Sequence, residues 1–246
     1  MCKILGISGK KQSGKNTMAN YINGLILTRR GMIEDFFLGE KGELIIATRT
    51  ADRRVEHGLL DVTRKDNEFV SFAEMELWPY VKMYSFADTL KALCVDLFDL
   101  KPEQVYGTDE QKNTMTNLRV RNNTGNLRRT PATAREFMQY FGTNVCRSIK
   151  PNVWVDHLMK TIKREKTNLA IIADIRFPNE VEAIHNAGGK VVRLTREVYD
   201  DDHDSECALD QENFDWSNFD VKLDNSSGGV DLLCKEVDKL HSLWGG

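Results

Sequence analysis

The sequence has no C-x-x-C pair, no apolar run near the length of a membrane span, no surplus of positive charge and no histidine cluster. Each absence removes a class of function. The five cysteines (Cys2, Cys94, Cys146, Cys207, Cys234) are scattered and odd in number. That pattern excludes a zinc ribbon or a redox pair and reads as small buried hydrophobes in a reducing, cytoplasmic compartment. The apolar runs fall far short of the ~18–20 residues needed to span a bilayer. Residues 1–7 are too short an apolar stretch, too soon followed by Ser8-Gly9-Lys10, to read as a secretory leader. Lys plus Arg number 34 and Asp plus Glu 37, a formal net charge of −3. A general nucleic-acid binder is therefore disfavoured, because no global positive charge exists to release counterions. The five histidines (His57, His157, His185, His203, His241) share no metal-ligand spacing. His203 lies among acids, and its role stays open between contact with a closing segment and plain solvation.

What is present reads as one globular α/β domain over 1–246. Apolar residues make up 41% of the 246 and charged residues 29%, enough to build a sizeable core. Residues 4–7 form a short apolar run feeding a glycine-rich turn. Met18, Ile22, Leu25 and Ile26 then recur at helical spacing over residues 17–27. Residues 43–49 and 67–72 carry β-branched and aromatic side chains between turn residues, which predicts a hairpin-rich insertion over 29–80. Residues 81–86 predict a second buried strand. Residues 89–98 predict a helix with Leu90, Leu93, Cys94 and Leu97 on one face.

Further along, Thr130-Pro131 suits a helix start, with Thr133-x-x-Glu136 as an alternative capping box. Phe137, Tyr140, Phe141 and Val145 supply that helix's buried stripe, and residues 154–162 continue at helical spacing. The run Leu169-Ala170-Ile171-Ile172-Ala173 predicts a central parallel strand ending in Asp174. Residues 178–187 predict a helix stopped by Gly188-Gly189. Strands follow at 190–194 and 219–223, and an amphipathic helix over 230–244. Strands alternating with helices predict a parallel sheet with helices on both faces.

Charge is segregated. No acid occurs from Gln111 to Arg135, a stretch holding Lys112, Arg119, Arg121, Arg128, Arg129 and Arg135. No Lys or Arg occurs from Glu197 to Val221, where ten acids recur. Two solvated loops account for this, as does an arginine-bearing lid over 107–135 that closes on phosphates and is partly balanced by the acidic segment.

The stretch Gly9-Lys10-Lys11-Gln12-Ser13-Gly14-Lys15-Asn16-Thr17 carries the chemistry. Its G-x-x-x-x-G-K pattern sits between a strand and a helix, where glycines let successive backbone N–H groups converge on phosphate oxygens. The helix directs its positive end at the same place, and Lys15 reaches the β- and γ-phosphates. Asn16 stands where Ser or Thr usually holds magnesium. Thr17, one residue later, is the candidate metal ligand, with a water-mediated shell as the alternative. Gly9, Lys11, Ser13, Gly14, Lys15, Asn16 and Thr17 are thus the candidate triphosphate-binding set.

Asp174 ends the 169–173 run at the carboxyl edge of the sheet, a metal-positioning placement, with capping of the next helix as the plainer role. Arg176 lies two residues on, within reach of phosphates. Arg196, at the exit of the 190–194 strand, is a better active-site candidate than Arg193 within it. Asp88 reads most simply as a helix N-cap, and Lys91 in the first turn is placed to meet an acceptor phosphate.

Five stretches together resemble the phage-type deoxynucleoside monophosphate kinases of the P-loop kinase superfamily. They are Ser8 to Thr17; Ser85-Phe86-Ala87-Asp88-Thr89-Leu90-Lys91; Arg135-Glu136-Phe137-Met138-Gln139-Tyr140-Phe141-Gly142-Thr143-Asn144 with Arg147 and Trp154; Asp174-Ile175-Arg176-Phe177-Pro178-Asn179-Glu180; and His203-Asp204-Ser205-Glu206. They cover most of the chain apart from 29–80. The resemblance implies a three-layer P-loop kinase fold and ATP-dependent, Mg²⁺-assisted phosphorylation of a deoxynucleoside 5′-monophosphate to the diphosphate. It implies an acceptor site drawn from Asp88, Lys91, Arg135, Gln139, Arg147 and Trp154, with Arg135 near the acceptor phosphate. It also implies that Arg176 and Arg196 stabilise the transferring group. Thr17 and Asp174 are the candidate metal residues read from the sequence itself.

Arginine suits such work because its planar fork contacts phosphate bidentately. An anionic acceptor needs no general base from the protein. Phe86, Phe137, Tyr140 and Trp154 are candidates to line a base pocket. The expected partners are ATP and a deoxynucleotide, with neither membrane nor nucleic acid, in the cytoplasm of the host if phage-encoded; a homodimer is allowed. Animal-type phosphomevalonate kinases share the loop with its extra cation, an Asp-x-Arg, and a segment like Ser205-Glu206-Cys207-Ala208-Leu209-Asp210. They supply the alternative function, ahead of a P-loop ATPase acting with nucleic acid.

Overall fold

A computed structural model describes residues 2–49, 52–122, 124–196, 207–226 and 229–244. Where the sequence reads as one domain, the chain groups into two compact units, residues 1–85 with 159–246 and residues 86–158.

The first unit is built on five parallel strands: β1 (Lys3–Ser8), β5 (Val81–Tyr84), β6 (Leu169–Ile175), β7 (Lys190–Leu194) and β8 (Val221–Leu223), in the order β5-β6-β1-β7-β8. β1 is central. β6, read from sequence as central, lies one place aside, between β5 and β1. Both strands are apolar along their length because helices cover both faces. Leu5, Ile7, Ile171, Val192 and Leu194 share one buried cluster with Met18, Ala19 and Ile22 of α1 (Lys15–Arg29) and with Leu233 and Val237 of α9 (Val230–Lys239). Gly6 faces the other way. A Cβ there would lie 2.9 Å from Ile184 Cδ1 of α8 (Pro178–Asn186). Burying each large aliphatic side chain contributes roughly 1.5–3 kcal/mol, which makes this the rigid frame whose carboxyl edge carries the loops. The helix read as 230–244 is α9 followed by a 3₁₀ turn over His241–Leu243.

The insertion over 29–80 holds a three-stranded antiparallel sheet, β2 (Asp35–Leu38), β3 (Leu44–Arg49) and β4 (Val55–Leu59), as the hairpin pattern predicts. Residues 67–72 correct that pattern, because they begin α2 (Asn67–Glu76). The Asp66 side chain accepts from Phe69 N at 3.1 Å and nucleates the turn, and Phe69 and Ala73, four residues apart, bury on one face. A local cap outweighs β-propensity here.

The second unit contains α3 (Asp88–Phe98), α4 (Pro102–Tyr106), α5 (Asp109–Lys112) and α6 (Ala134–Gln139). A π-helical stretch over Tyr140–Arg147 follows, and α7 (Val153–Glu165) runs on into the first unit's part of the chain. Phe98, Phe137 and Phe141 meet with ring centroids 4.8, 4.9 and 6.0 Å apart, over a core of Cys94, Val105, Val120, Ala132 and Ala134. Leu97 departs from its expected face and is 65% exposed. Thr133, not Thr130-Pro131, opens α6, because its hydroxyl and Glu136 satisfy each other's backbone N–H groups.

Candidate active site

The glycine-rich loop leaves β1 and enters α1. Gly14 occupies the N-cap with φ +98° and ψ +14°, a left-handed conformation that favours glycine. Gln12 also holds a positive φ of 59°, so the loop stores backbone strain at a non-glycine position. Ser13 N donates to Lys10 O at 3.2 Å, closing the turn. The Ser13 side chain is wholly buried, and its hydroxyl has no hydrogen-bond partner among the described residues.

Lys15 begins α1 and folds back over the loop, its Nζ donating to Gly9 O at 2.7 Å and Lys10 O at 2.5 Å. Burial pushes its ammonium down to about 8; Arg176 and Arg193 push the same way, and Asp174 opposes them. One lysine thus feels two arginines and one carboxylate from the carboxyl ends of β6 and β7. Lys15, Asp174 and Arg176, predicted separately, do converge.

Asp174 lies in β6, and its Oδ2 accepts from Ser85 Oγ at 2.5 Å. At the start of α8, Glu180 Oε2 accepts from Arg176 N at 2.8 Å and Phe177 N at 3.1 Å, which fixes the backbone that carries Arg176. Arg193, 3% exposed, donates to Ser8 Oγ at 3.0 Å and packs over the Trp216 and Phe219 rings at 5.1 and 5.8 Å. The backbone N–H of Arg196, just past β7, donates to Asn225 Oδ1 at 3.0 Å. Of the acidic segment, His203, Asp204, Ser205 and Glu206 lie outside the described residues. Asp210 reaches the loop, pairing with Lys10 Nζ at 2.5 Å and Arg193 Nη2 at 3.5 Å. Lys11 and Asn16 stay on the solvent side of the loop, half-buried and exposed respectively.

Thr17 has an unforeseen neighbour. Gly42, φ +80°, ends the β2–β3 turn of the insertion, and Asn20 Nδ2 donates to its carbonyl at 2.9 Å. A Cβ on Gly42 would lie 2.8 Å from Thr17 Cβ and Cγ2, and nearer still to its hydroxyl. The inserted sheet is therefore pinned to the first turns of α1. Gly42→Val, both crowded and strained, should cost about 1–3 kcal/mol in thermal unfolding. It should also weaken phosphate-dependent activity more than the same stability loss caused by Phe37→Ala at a half-exposed position of β2.

The candidate acceptor residues all belong to the second unit. Asp88 is the first helical residue of α3, with Ala87 at the cap, so it is not the N-cap the sequence suggested. Lys91 Nζ sits 5.5 Å from the centroid of the Tyr106 ring. Arg135 donates to Asp109 Oδ1 at 2.6 Å and Asn113 Oδ1 at 3.1 Å. Gln139 is exposed at the end of α6, and Arg147 is half-buried at the end of the π-helical stretch. Trp154 is 6% exposed, its indole N–H donating to Gly142 O at 3.1 Å; it and Phe137 are core residues of this unit. The basic stretch is anchored by bridges pairing Met115 with Thr133 and Arg121 with Leu127.

The sequence model of the deoxynucleotide monophosphate kinase family matches residues 3–220. The chain belongs to that family. It is 33% identical over 142 residues to a protein of Acanthamoeba polyphaga mimivirus provisionally named a deoxynucleotide monophosphate kinase, a match covering 51% of this chain and 67% of the relative. As a deoxynucleotide monophosphate kinase the chain is a phosphotransferase with small-molecule substrates. No helix among the described residues is long and apolar enough to cross a membrane. Sequence reasoning missed Gly42, Ser85's bond to Asp174, Asp210 as a loop partner, and Asn225. Gly39-x-x-Gly42 between apolar runs was a turn signal for the first; the others had no local signal.

Proposed function

We propose that this kinase transfers the terminal phosphoryl group of ATP to the 5′-phosphate of a deoxynucleoside monophosphate, assisted by Mg²⁺. The observation that carries the reading is the meeting of Lys15, Asp174, Arg176 and Arg193 at one edge of the parallel sheet beside a glycine-rich loop. Phosphoryl transfer asks the protein for positioning and for fixed positive charge around a loosely bonded group. Lys15 holds the β- and γ-phosphates, the loop amides and the α1 N-terminus cradle them, and Arg176 and Arg196 follow the charge onto the transferring oxygens. Arg135 and Lys91 hold the acceptor phosphate, and Asp88, Gln139, Arg147 and Trp154 shape its binding.

The donor set fits a hard cation. Thr17 offers a hydroxyl and Asp174 a carboxylate, both suited to Mg²⁺ rather than to a soft metal. The buried Ser13 hydroxyl without a partner adds a polar group awaiting an anion or its ion. When bound, the metal neutralises charge on the β- and γ-phosphates. The compartment is the cytoplasm.

A coupled ADP-release assay tests the reading. ATP and Mg²⁺ are supplied with each of the four deoxynucleoside monophosphates, their ribo counterparts, mevalonate 5-phosphate, or a polynucleotide. ADP should appear only with a monophosphate acceptor, fastest with a deoxynucleotide. Release driven by mevalonate 5-phosphate alone or by polynucleotide would transfer the assignment to those chemistries.

A further inference from the structure

We propose that Asn225 is the positioning residue of the phosphate-binding loop, setting the Ser13–Gly14 peptide and tying it to Arg196. The proposal rests on reading residues 9–17 as the triphosphate cradle. Asn225 lies two residues past β8, more than two hundred positions from the loop, and is only 4% exposed. Its Nδ2 donates to Ser13 O at 2.7 Å and its Oδ1 accepts from Arg196 N at 3.0 Å. Ser13's carbonyl can only accept and Arg196's N–H can only donate, so the carboxamide has one orientation. The ionised aspartate of the same shape lacks the donor, and leucine lacks both functions.

The geometry explains why this bond matters for chemistry as well as stability. A trans peptide is planar, with its C=O and N–H directed oppositely. Holding Ser13 O against Asn225 therefore turns the Gly14 N–H away from Asn225, as an anion-binding loop requires. Gly14 sits at φ +98°, where glycine makes rotation of this peptide cheap. Its Cα also packs closely here, since a Cβ on Gly14 would lie 3.5 Å from Asn225 Nδ2. The other half of the carboxamide holds the backbone of Arg196, a proposed partner of the transferring group. One buried side chain thus sets both the loop and the arginine that follows β7. It touches no reacting atom, so its role is positional.

The variants are Asn225→Asp, which keeps the shape and the Arg196 acceptor but replaces the donor with a carboxylate facing a carbonyl, and Asn225→Ala, which removes both bonds. Binding of a nonhydrolysable ATP analogue with Mg²⁺ is measured by titration calorimetry, beside kcat, the KM for each substrate and thermal unfolding. Asn225→Asp should weaken the analogue about tenfold at pH 7.5, the loss expected when a buried carbonyl loses its donor, with the acceptor KM within about twofold of wild type. Asn225→Ala, which loses both bonds, should show a deficit at least as large.

Asn225→Asp that binds the analogue like wild type overturns the proposal. So does a deficit matched by an equal rise in the acceptor KM, which marks general loosening. Wild-type protein that does not bind the analogue at all refutes the cradle reading itself, and the role of Asn225 with it.

Discussion

Lys15→Met should lower turnover about a thousandfold while leaving the fold at least as stable as wild type. In the proposed mechanism the activity loss follows from removing a preorganised cation from where charge builds on the β- and γ-phosphates. The stability result follows from what Lys15 endures in the fold. Its ammonium is buried against Arg176 and Arg193, and its pKa falls from 10.5 to about 8. The unfolded chain holds that proton more tightly than the folded one. Below pH 8 both states are charged and the full penalty applies, on the order of 3 kcal/mol. As pH rises from 8 towards 10.5 the folded lysine is neutral while the unfolded one is still protonated, and the penalty fades.

Thermal unfolding should therefore show Lys15→Met more stable than wild type at pH 7, with the gap closing towards pH 10. The same shift makes triphosphate binding take up a proton near pH 9, because the incoming anion restores the ammonium. Calorimetry in buffers of different ionisation enthalpy should find that uptake in wild type and none in Lys15→Met. Full turnover in the variant would remove the loop from the reaction.

The frame of this enzyme was readable because its signals are local. The run over 169–173 announces a strand covered on both faces, and Lys190–Leu194 appears where its residues predicted. The loop motif predicted both its flanking elements. What escaped the sequence were contacts that close over long separations. Asn225 is one polar residue in a polar stretch, and only the return of β8 beside β7 brings it under Ser13. Asp210 is one of ten acids in a segment read by its total charge; the fold selects it for Lys10 and Arg193. The β-branched and aromatic composition of residues 67–72 points to a strand, whereas in the chain the Asp66 cap prevails. Trp154 and Phe137, offered by the sequence as aromatic candidates to line a base pocket, are both buried, 6% exposed each. An aromatic side chain does not declare from sequence whether it faces a ligand or its own interior.

Asp174→Asn should match Lys15→Met in lost turnover and oppose it in stability. Asp174 is an anion among the cations at this edge of the sheet, and its charge partly opposes the fall of the Lys15 pKa. Asparagine has nearly the same shape and can still meet Ser85 Oγ, so the change isolates charge. Without that carboxylate the repulsion among Lys15, Arg176 and Arg193 grows, relieved in part at Arg193 by Asp210, and unfolding temperature should fall at pH 7. Lys15 should then lose its proton more readily, so the proton uptake that accompanies triphosphate binding should move to lower pH. The proposed Mg²⁺ site loses a hard oxygen at the same time. Turnover should drop about 10²–10³-fold, and the Mg²⁺ concentration giving half-maximal rate should rise at least about tenfold. The double variant with Lys15→Met should be scarcely slower than either single one, because cation and carboxylate serve one step. Its stability should lie between the two, because removing the lysine relieves much of the repulsion that the asparagine leaves behind. An unchanged Mg²⁺ requirement in Asp174→Asn would take Asp174 out of metal binding and leave it as the counter-charge of Lys15 alone.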